Sequence, residues 1–318
     1  HHNSTFGIYD EKSCEWQEVN GEWQCVSGTA AAQMTQNIFA ENGNADSGCA
    51  ISAPSHIPDV IAANSGSGSG KNSIELRSNY DASRTDVTWK KNDASLPYWV
   101  TGPITIGGGE DTPATLTIEP GVEVRFGPDG SLQIGEYWCE EGGCHEFFGR
   151  LQAQGTEALP IIFTSNANVP QPGDWSGIRF VQTPGIAASL LDHCRIEYAG
   201  YDYSGDPQPG IVISEKAAPS IRNTTIQYTS GSGIRIAYSD NDRLLLPTLQ
   251  GNTITQNNGN GIDGSCTDAW WSQCDLADER QGVIAGNTLS DNTGSAIFIH
   301  PNLVKAFGDN TGTGNGEN

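Results

Sequence analysis

The chain has 318 residues, with 38 acidic and 16 basic side chains and a formal net charge of −22. That balance excludes nucleic acid and anionic membranes as partners, because both recruit clustered Lys and Arg to replace counterions. Abundant Gly (39 residues) disfavours a helical protein, and no apolar run approaches the roughly 18 residues of a membrane span, so no membrane insertion is expected.

Residues 1–85 open the chain with little periodicity. Glu15–Val19 and Glu22–Cys25 flank Asn20-Gly21, a strong hairpin signal between alternating strands. Ala30 to Gln36 is the one stretch that predicts a helix. Ser65-Gly-Ser-Gly-Ser-Gly70 has the composition of a flexible linker. A solenoid must cover its open core end, so 1–85 is expected to form an N-terminal cap.

Residues 86–307 carry the body. Leu116-Thr-Ile118, Val122-Glu-Val124-Arg-Phe126, Leu132-Gln-Ile134, Leu151-Gln-Ala153, Ile161-Ile-Phe163 and Gly177-Ile178-Arg-Phe180 alternate with period two. Downstream, the apolar anchors Ile221, Ile226 and Ile234 are spaced five and then eight residues apart. Leu249, Ile254 and Ile262 repeat that spacing, as do Ile284, Leu289 and Ile297. Leu191 and Ile196 keep the five-residue step, then reach Ile211 after a longer insertion. A fixed period of this kind marks stacked coils, none of which can bury its apolar face alone. Gly251-Asn252 and Gly286-Asn287 occupy the bend between the first two anchors, with Thr224 and Cys194 in the same slot as the two asparagines. Stacking should place these side chains in a hydrogen-bonded column. The predicted fold is all-β: a right-handed parallel β-helix, a three-strand solenoid with disulfide-stapled loop insertions. The Gly/Asn/Thr-rich tail, 308–318, is expected to be disordered.

Eight cysteines indicate an oxidising compartment. Cys14/Cys25, Cys139/Cys144 and Cys266/Cys274 form close pairs, leaving Cys49 and Cys194 to pair with each other. Connectivity stays open at this level.

Three insertions interrupt the coils: 136–148, 199–209 and 263–281. Such loops often form the working surface of a solenoid. Their aromatic residues, Trp138, Tyr201, Tyr203, Trp270 and Trp271, are the candidate ligand-binding residues, suited to stacking on sugar rings. Asp240 and Asp242 are the candidate Ca2+ ligands, although no cofactor is required and an Asp-Asn-Asp turn is more often a solvated loop. Glu197 and Arg195 should share a strand exterior, and Arg179 and Arg235 should also point outward. His193 and His300 are isolated and read as structural.

Leu116-Thr-Ile-Glu-Pro-Gly-Val-Glu-Val-Arg-Phe126, Gly149-Arg-Leu-Gln-Ala-Gln-Gly-Thr156, Pro160-Ile-Ile-Phe-Thr-Ser165 and Gly173-Asp-Trp-Ser-Gly-Ile178 resemble the opening coils of bacterial cell-surface β-helix repeat proteins, built on a pectate-lyase-like scaffold. Thr88-Trp89 and Pro97 to Thr105 match the lead-in region of those proteins. The resemblance spans roughly residues 85–300. It implies the fold and an exported, extracellular location, and little about activity, because this scaffold hosts lyases, hydrolases and adhesins. The Asn-Thr-Asp, Asp-Asp, His-Gly and Arg-Ile-Lys set of polygalacturonase-like hydrolases is missing. A chain at −22 would also repel uronate substrates.

The leading expectation is a secreted or surface-exposed module that binds carbohydrate through aromatic loops, as an adhesin, acting as a monomer or as part of a larger surface protein. The alternatives are a hydrolase or lyase acting on a neutral glycan, and a structural spacer.

Overall fold

The computed structural model describes residues 34–40, 49–54, 61–68, 71–78, 83–140, 143–181, 183, 189–202, 204–214, 217–237, 247–264, 282–299 and 307–317, with short strands at 8–9, 15–19 and 22–26. Three long parallel sheets run through them. Sheet A has eleven strands, sheet B eight and sheet C seven. Each coil visits B, then A, then C. The coil Ser220–Arg222, Thr225–Gln227, Ile234–Ile236 shows the pattern.

Inward residues follow from the period-two alternation of a strand. Ile196, Ile226, Ile254 and Leu289 face one another in unbroken register along sheet A. Leu191, Ile221, Leu249 and Ile284 do so in sheet B, and Ile211, Ile234, Ile262 and Ile297 in sheet C. All but the partly buried Ile297 are essentially excluded from solvent. The five-then-eight spacing is thus a three-column core. Trp175 closes the wider upstream part, stacked on Phe126 at 4.0 Å with its indole nitrogen donating to the Glu197 carbonyl at 2.8 Å.

The corner between sheets B and A has a fixed construction. His193, Asn223, Gly251, Gly286 and Asp309 all take positive φ, between 47° and 65°. The residue after each is Cys194, Thr224, Asn252, Asn287 or Asn310, and these form the expected column. The backbone N–H of Thr224 donates to Asn252 Oδ1 at 3.1 Å, that of Asn252 to Asn287 Oδ1 at 3.0 Å, and that of Asn287 to Asn310 Oδ1 at 3.0 Å. The Asn252 amide also donates to the Ile221 carbonyl at 2.9 Å. A second column lines the corner between A and C, five residues later in each coil. Thr229 N–H donates to Asn257 Oδ1, Asn257 N–H to Asn292 Oδ1, and Asn292 N–H to Asn315 Oδ1. Asn37, Asn64 and Asn92 build a third column at the other end of the molecule.

Four expectations need correction. Ser65–Gly70 is not a linker through its first half: Ser65–Ser67 pairs with Ile38–Ala40, and a Cβ on Gly66 would meet Leu96 at 2.7 Å. Glycine is there because the backbone packs closely. The coils begin upstream of residue 86, since Cys49–Pro54 and Lys71–Arg77 already belong to sheet A. The tail is ordered: Thr311–Thr313 pairs with Thr288–Ser290, and Asn310 and Asn315 end the two columns. Among the described residues there is no helix; Met34–Thr35 and Ile38–Ala40 are strands, and residues 30–33 lie outside the description.

The strands Glu15–Val19 and Glu22–Val26, which flank Asn20-Gly21, pair antiparallel as read. Cys139 and Cys144 are joined, whereas Cys14, Cys266 and Cys274 lie outside the described residues. Cys194 is a thiol, so it does not pair with Cys49. Four strands of sheet A separate the two, about 24 Å at the spacing of neighbouring strands, and a disulfide spans less than about 7 Å.

Two predictions follow from the columns. Asn252→Ala orphans the buried Thr224 N–H and the Ile221 carbonyl, and should cost about 2–4 kcal/mol in denaturant unfolding. Asn258→Ala, at an exposed neighbour, should cost less than about 0.5 kcal/mol. Burial pushes the Cys194 thiol up to about 12. Native protein at pH 8 should therefore leave Cys194 unalkylated by iodoacetamide in a peptide-mapping assay, and denatured protein should label it fully.

Candidate functional site

Once the inward positions are fixed, the outward ones can carry chemistry. On the upstream half of sheet A, one outward row runs Trp99, Arg125, Thr164, Glu197, Gln227, and the row beside it Glu123, Ile162, Arg195, Thr225. Arg125 pairs with Glu123 at 2.6 Å, and Arg195 with Glu197 at 3.0 Å, each two residues apart on one strand face. The expected Arg195/Glu197 exterior pair is therefore present.

Glu197 is the centre of this row. Although it faces outward, it is only 8% exposed. Its carboxylate accepts from Arg195, from Gln227 Nε2 at 2.6 Å and from Thr164 Oγ1 at 3.3 Å. Three donors converge on it, which makes it a positioning residue that orients Arg195 and Gln227. Asp174 is similarly engaged, by Ser165 Oγ at 2.5 Å and the Gln171 N–H at 2.9 Å.

The next residue in each coil turns the corner. Tyr198 and Tyr228 both hold positive φ there, 62° and 58°. Consecutive coils bring their rings to 5.2 Å with an interplanar angle of 14°, and both remain half-buried. Burial, then the negative charge of Glu197 and the neighbouring Tyr228, hold the Tyr198 phenol above its usual range, with Arg195 opposing. The ring pair is a neutral, stacked platform with hydrogen-bonding groups along one edge. The reading of the sequence passed over both tyrosines. Their signal was available: each lies two residues past an anchor, and they lie 30 residues apart, the separation of Ile196 and Ile226.

The structure separates the aromatic candidates that it describes. Tyr201 sits just past the same corner, its N–H donating to the Trp175 carbonyl at 2.9 Å. In the loop that follows, Asp202 and Asp206 accept from Ser204. Trp138 lies elsewhere. It belongs to the antiparallel hairpin Glu136–Glu140/Gly143–Phe147, which leaves sheet C and returns to sheet B. Trp138 is 41% exposed and stacks on His145 at 4.1 Å, while His145 meets Glu140 at 3.1 Å. The Cys139–Cys144 bond ties the two strands, and Arg84 lies 3.5 Å over the Phe147 ring at the hairpin's base.

Tyr203, Asp240, Asp242, Trp270, Trp271 and His300 lie outside the described residues. Among the described residues, no group of three or more His, Cys, Asp or Glu side chains could hold a metal ion. His193 takes a corner position and pairs with Asp192 at 2.8 Å. Arg179 is exposed, and Arg235 reaches Asp263 at 3.6 Å on the outer face of sheet C.

Residues 178–318 match a family model described as a right handed beta helix region, and residues 82–208 match one described as a pectate-lyase like beta helix domain. No curated protein and no solved structure matches the chain. The stacked coils and these two matches identify the chain as a right-handed parallel β-helix repeat protein.

Proposed function

We propose that the chain is an extracellular glycan-binding module, an adhesin or the recognition part of a larger surface protein, that takes a neutral polysaccharide. The stacked, half-buried pair Tyr198–Tyr228 carries this reading. Sugar rings offer apolar C–H faces to aromatic rings and hydroxyls to flanking polar groups. The pair supplies the first, and the row Arg195, Glu197 and Gln227 supplies fixed donors and acceptors beside it. Side chains already locked by their own contacts lose little entropy when a ligand arrives. The net charge of −22 selects against uronates and favours neutral sugars. Coils rise by about 4.8 Å each, close to the length of one sugar unit, so an extended glycan along the axis would meet equivalent positions in successive coils.

Trp138 on its disulfide-tied hairpin, Tyr201, Tyr203, Trp270 and Trp271 belong to the same proposal as outlying contacts. The Cys139–Cys144 disulfide supports an oxidising, extracellular setting. The pectate-lyase description of the matched family model adds a polysaccharide context. Ca2+ at Asp240 and Asp242 is not required by this reading.

A glycan array followed by titration calorimetry tests it. Wild type should bind at least one neutral glycan, and Tyr198→Ala and Tyr228→Ala should each weaken that binding about tenfold, the loss of roughly 1.4 kcal/mol at a contact residue. Absence of binding by wild type, or unchanged binding by both variants, rejects the proposal. The phenol gives a second check. In an alkaline titration of tyrosine absorbance, one group assigned by its loss in Tyr198→Phe should ionise later than free tyrosine. Because the folded-state value is the raised one, the associated stability is present below the unfolded value near 10 and is lost as pH rises through the folded one.

A further inference from the structure

Downstream of Gln227 the outer face of sheet A changes character. Its last four strands are Thr225–Gln227, Thr253–Thr255, Thr288–Ser290 and Thr311–Thr313. They pair in parallel without a register shift. Their outward side chains form two ranks. One rank is Thr225, Thr253, Thr288 and Thr311; the other is Gln227, Thr255, Ser290 and Thr313. Seven of these eight positions carry a hydroxyl, and none carries a charge. Thr253, Thr288, Thr311 and Thr313 are exposed, and the others are half-buried. Within the second rank, Thr255 and Ser290 are hydrogen-bonded at 2.9 Å.

Strand propensity alone does not produce this array. Thr favours strands in general, so propensity should enrich all three sheets alike. The outward positions of sheet B in these coils are Ser220, Thr248 and Val283 in one row and Arg222, Gln250 and Ala285 in the other, only two of six carrying a hydroxyl, and those of sheet C are Arg235, Asp263 and Phe298. Further upstream, sheet A itself shows Arg125, Glu197 and Trp99 on this face. The regularity is confined to one face of four coils.

An array of this kind has the wrong chemistry for most ligands. It offers no charge for an ion and no aromatic ring for a sugar. What it offers is periodicity. Equivalent hydroxyls repeat about every 4.8 Å along the axis and about every 6.6 Å across each strand. A ligand that gains from such a surface must itself be a polar lattice with similar repeats, and the oxygen lattice of ice is one. Threonine suits the task, since its hydroxyl anchors a water while its methyl group limits where the next can sit. Its branched side chain is stiff at χ1, so the spacing survives thermal motion. The asparagine columns on both flanks, Asn252–Asn287–Asn310 and Asn257–Asn292–Asn315, hold the coils in register.

We propose that the outer face formed by these four strands of sheet A is an ice-binding surface. This site adjoins the Tyr198–Tyr228 platform at Gln227 but is argued from different residues. The test uses the full chain in a nanolitre osmometer and in an ice-recrystallisation assay. Wild type should hold a seed crystal without growth over a measurable temperature gap, and should slow recrystallisation. Thr288→Tyr, which places a ring in the middle of the array, should lose both effects. Gln250→Tyr, on the outer face of sheet B, should keep both. Circular dichroism melts of the two variants should match wild type, and Thr288→Ser provides a milder substitution with partial loss. Growth of ice at the melting point in wild-type protein, or equal activity in wild type and a folded Thr288→Tyr variant, overturns the proposal.

Discussion

The fold depends on how the chain satisfies its backbone where it bends. A corner between two three-residue strands is too tight for a self-contained turn to pair every group, and its N–H groups point into a buried column. An unpaired buried N–H costs about 1–3 kcal/mol. The asparagine amide resolves this between coils, because its oxygen accepts from the backbone of one neighbour while its nitrogen donates to a carbonyl. Asn252 shows both halves: Oδ1 takes the Thr224 N–H, and Nδ2 gives to the Ile221 carbonyl. Each coil in these columns therefore completes the one beside it. Register is set at the corners, and the apolar columns of Ile, Leu and Val follow in line.

That solution has a conformational cost, since in the two downstream columns the residue before each position takes positive φ. Gly251 and Gly286 do so freely, but His193, Asn223, Tyr198, Tyr228, Gln256 and Asp291 carry side chains there, at about 1–2 kcal/mol each. Column hydrogen bonds and buried anchors on either side over-determine these positions. The strain also has a geometric result. A side chain in such a slot stands on the outside of a corner, directly over its counterpart in the next coil. Two tyrosines in consecutive coils consequently stack without any dedicated loop. The proposed binding platform is a by-product of the turn chemistry that holds the solenoid together.

Much of this was legible in the residues. The anchor spacing of Ile221, Ile226 and Ile234, repeated twice, contains the three-sheet path and the stacking of Asn252 on Asn287. The second column is less legible because Gly precedes Asn252 and Asn287, whereas Asn257, Asn292 and Asn315 follow Gln, Asp and Gly, and only the constant five-residue offset marks them. The N-terminal coils were missed because composition stands in for structure poorly when a glycine packs. Ser65-Gly66-Ser67 has the letters of a linker, yet Gly66 is small because Leu96 presses on it. The tail misled in the same way, since Thr311-Gly-Thr313 reads as low complexity until it is laid against Thr288–Ser290. Pairing Cys49 with Cys194 was arithmetic on leftovers, and it failed because each extra coil adds a full strand spacing between them.

Because hydrogen bonding at the corners and packing inside set the coil, outward side chains are nearly free of structural duty. Regularity among inward residues is therefore uninformative about function: Ile226 and Ile254 must align for the core to exist. Regularity among outward residues has no such necessity. On sheet B the outward residues of the downstream coils vary in size and charge from one coil to the next, as the absence of constraint predicts. On sheet A they form an ordered sequence along the axis, first charge pairs and aromatic rings, then uncharged hydroxyls. Each half is internally consistent, and the two meet at Gln227, which still donates to Glu197 while its strand partner is Thr255. A rigid scaffold thus presents two chemically distinct surfaces on one continuous sheet, and substitutions in either need not disturb the column that holds both.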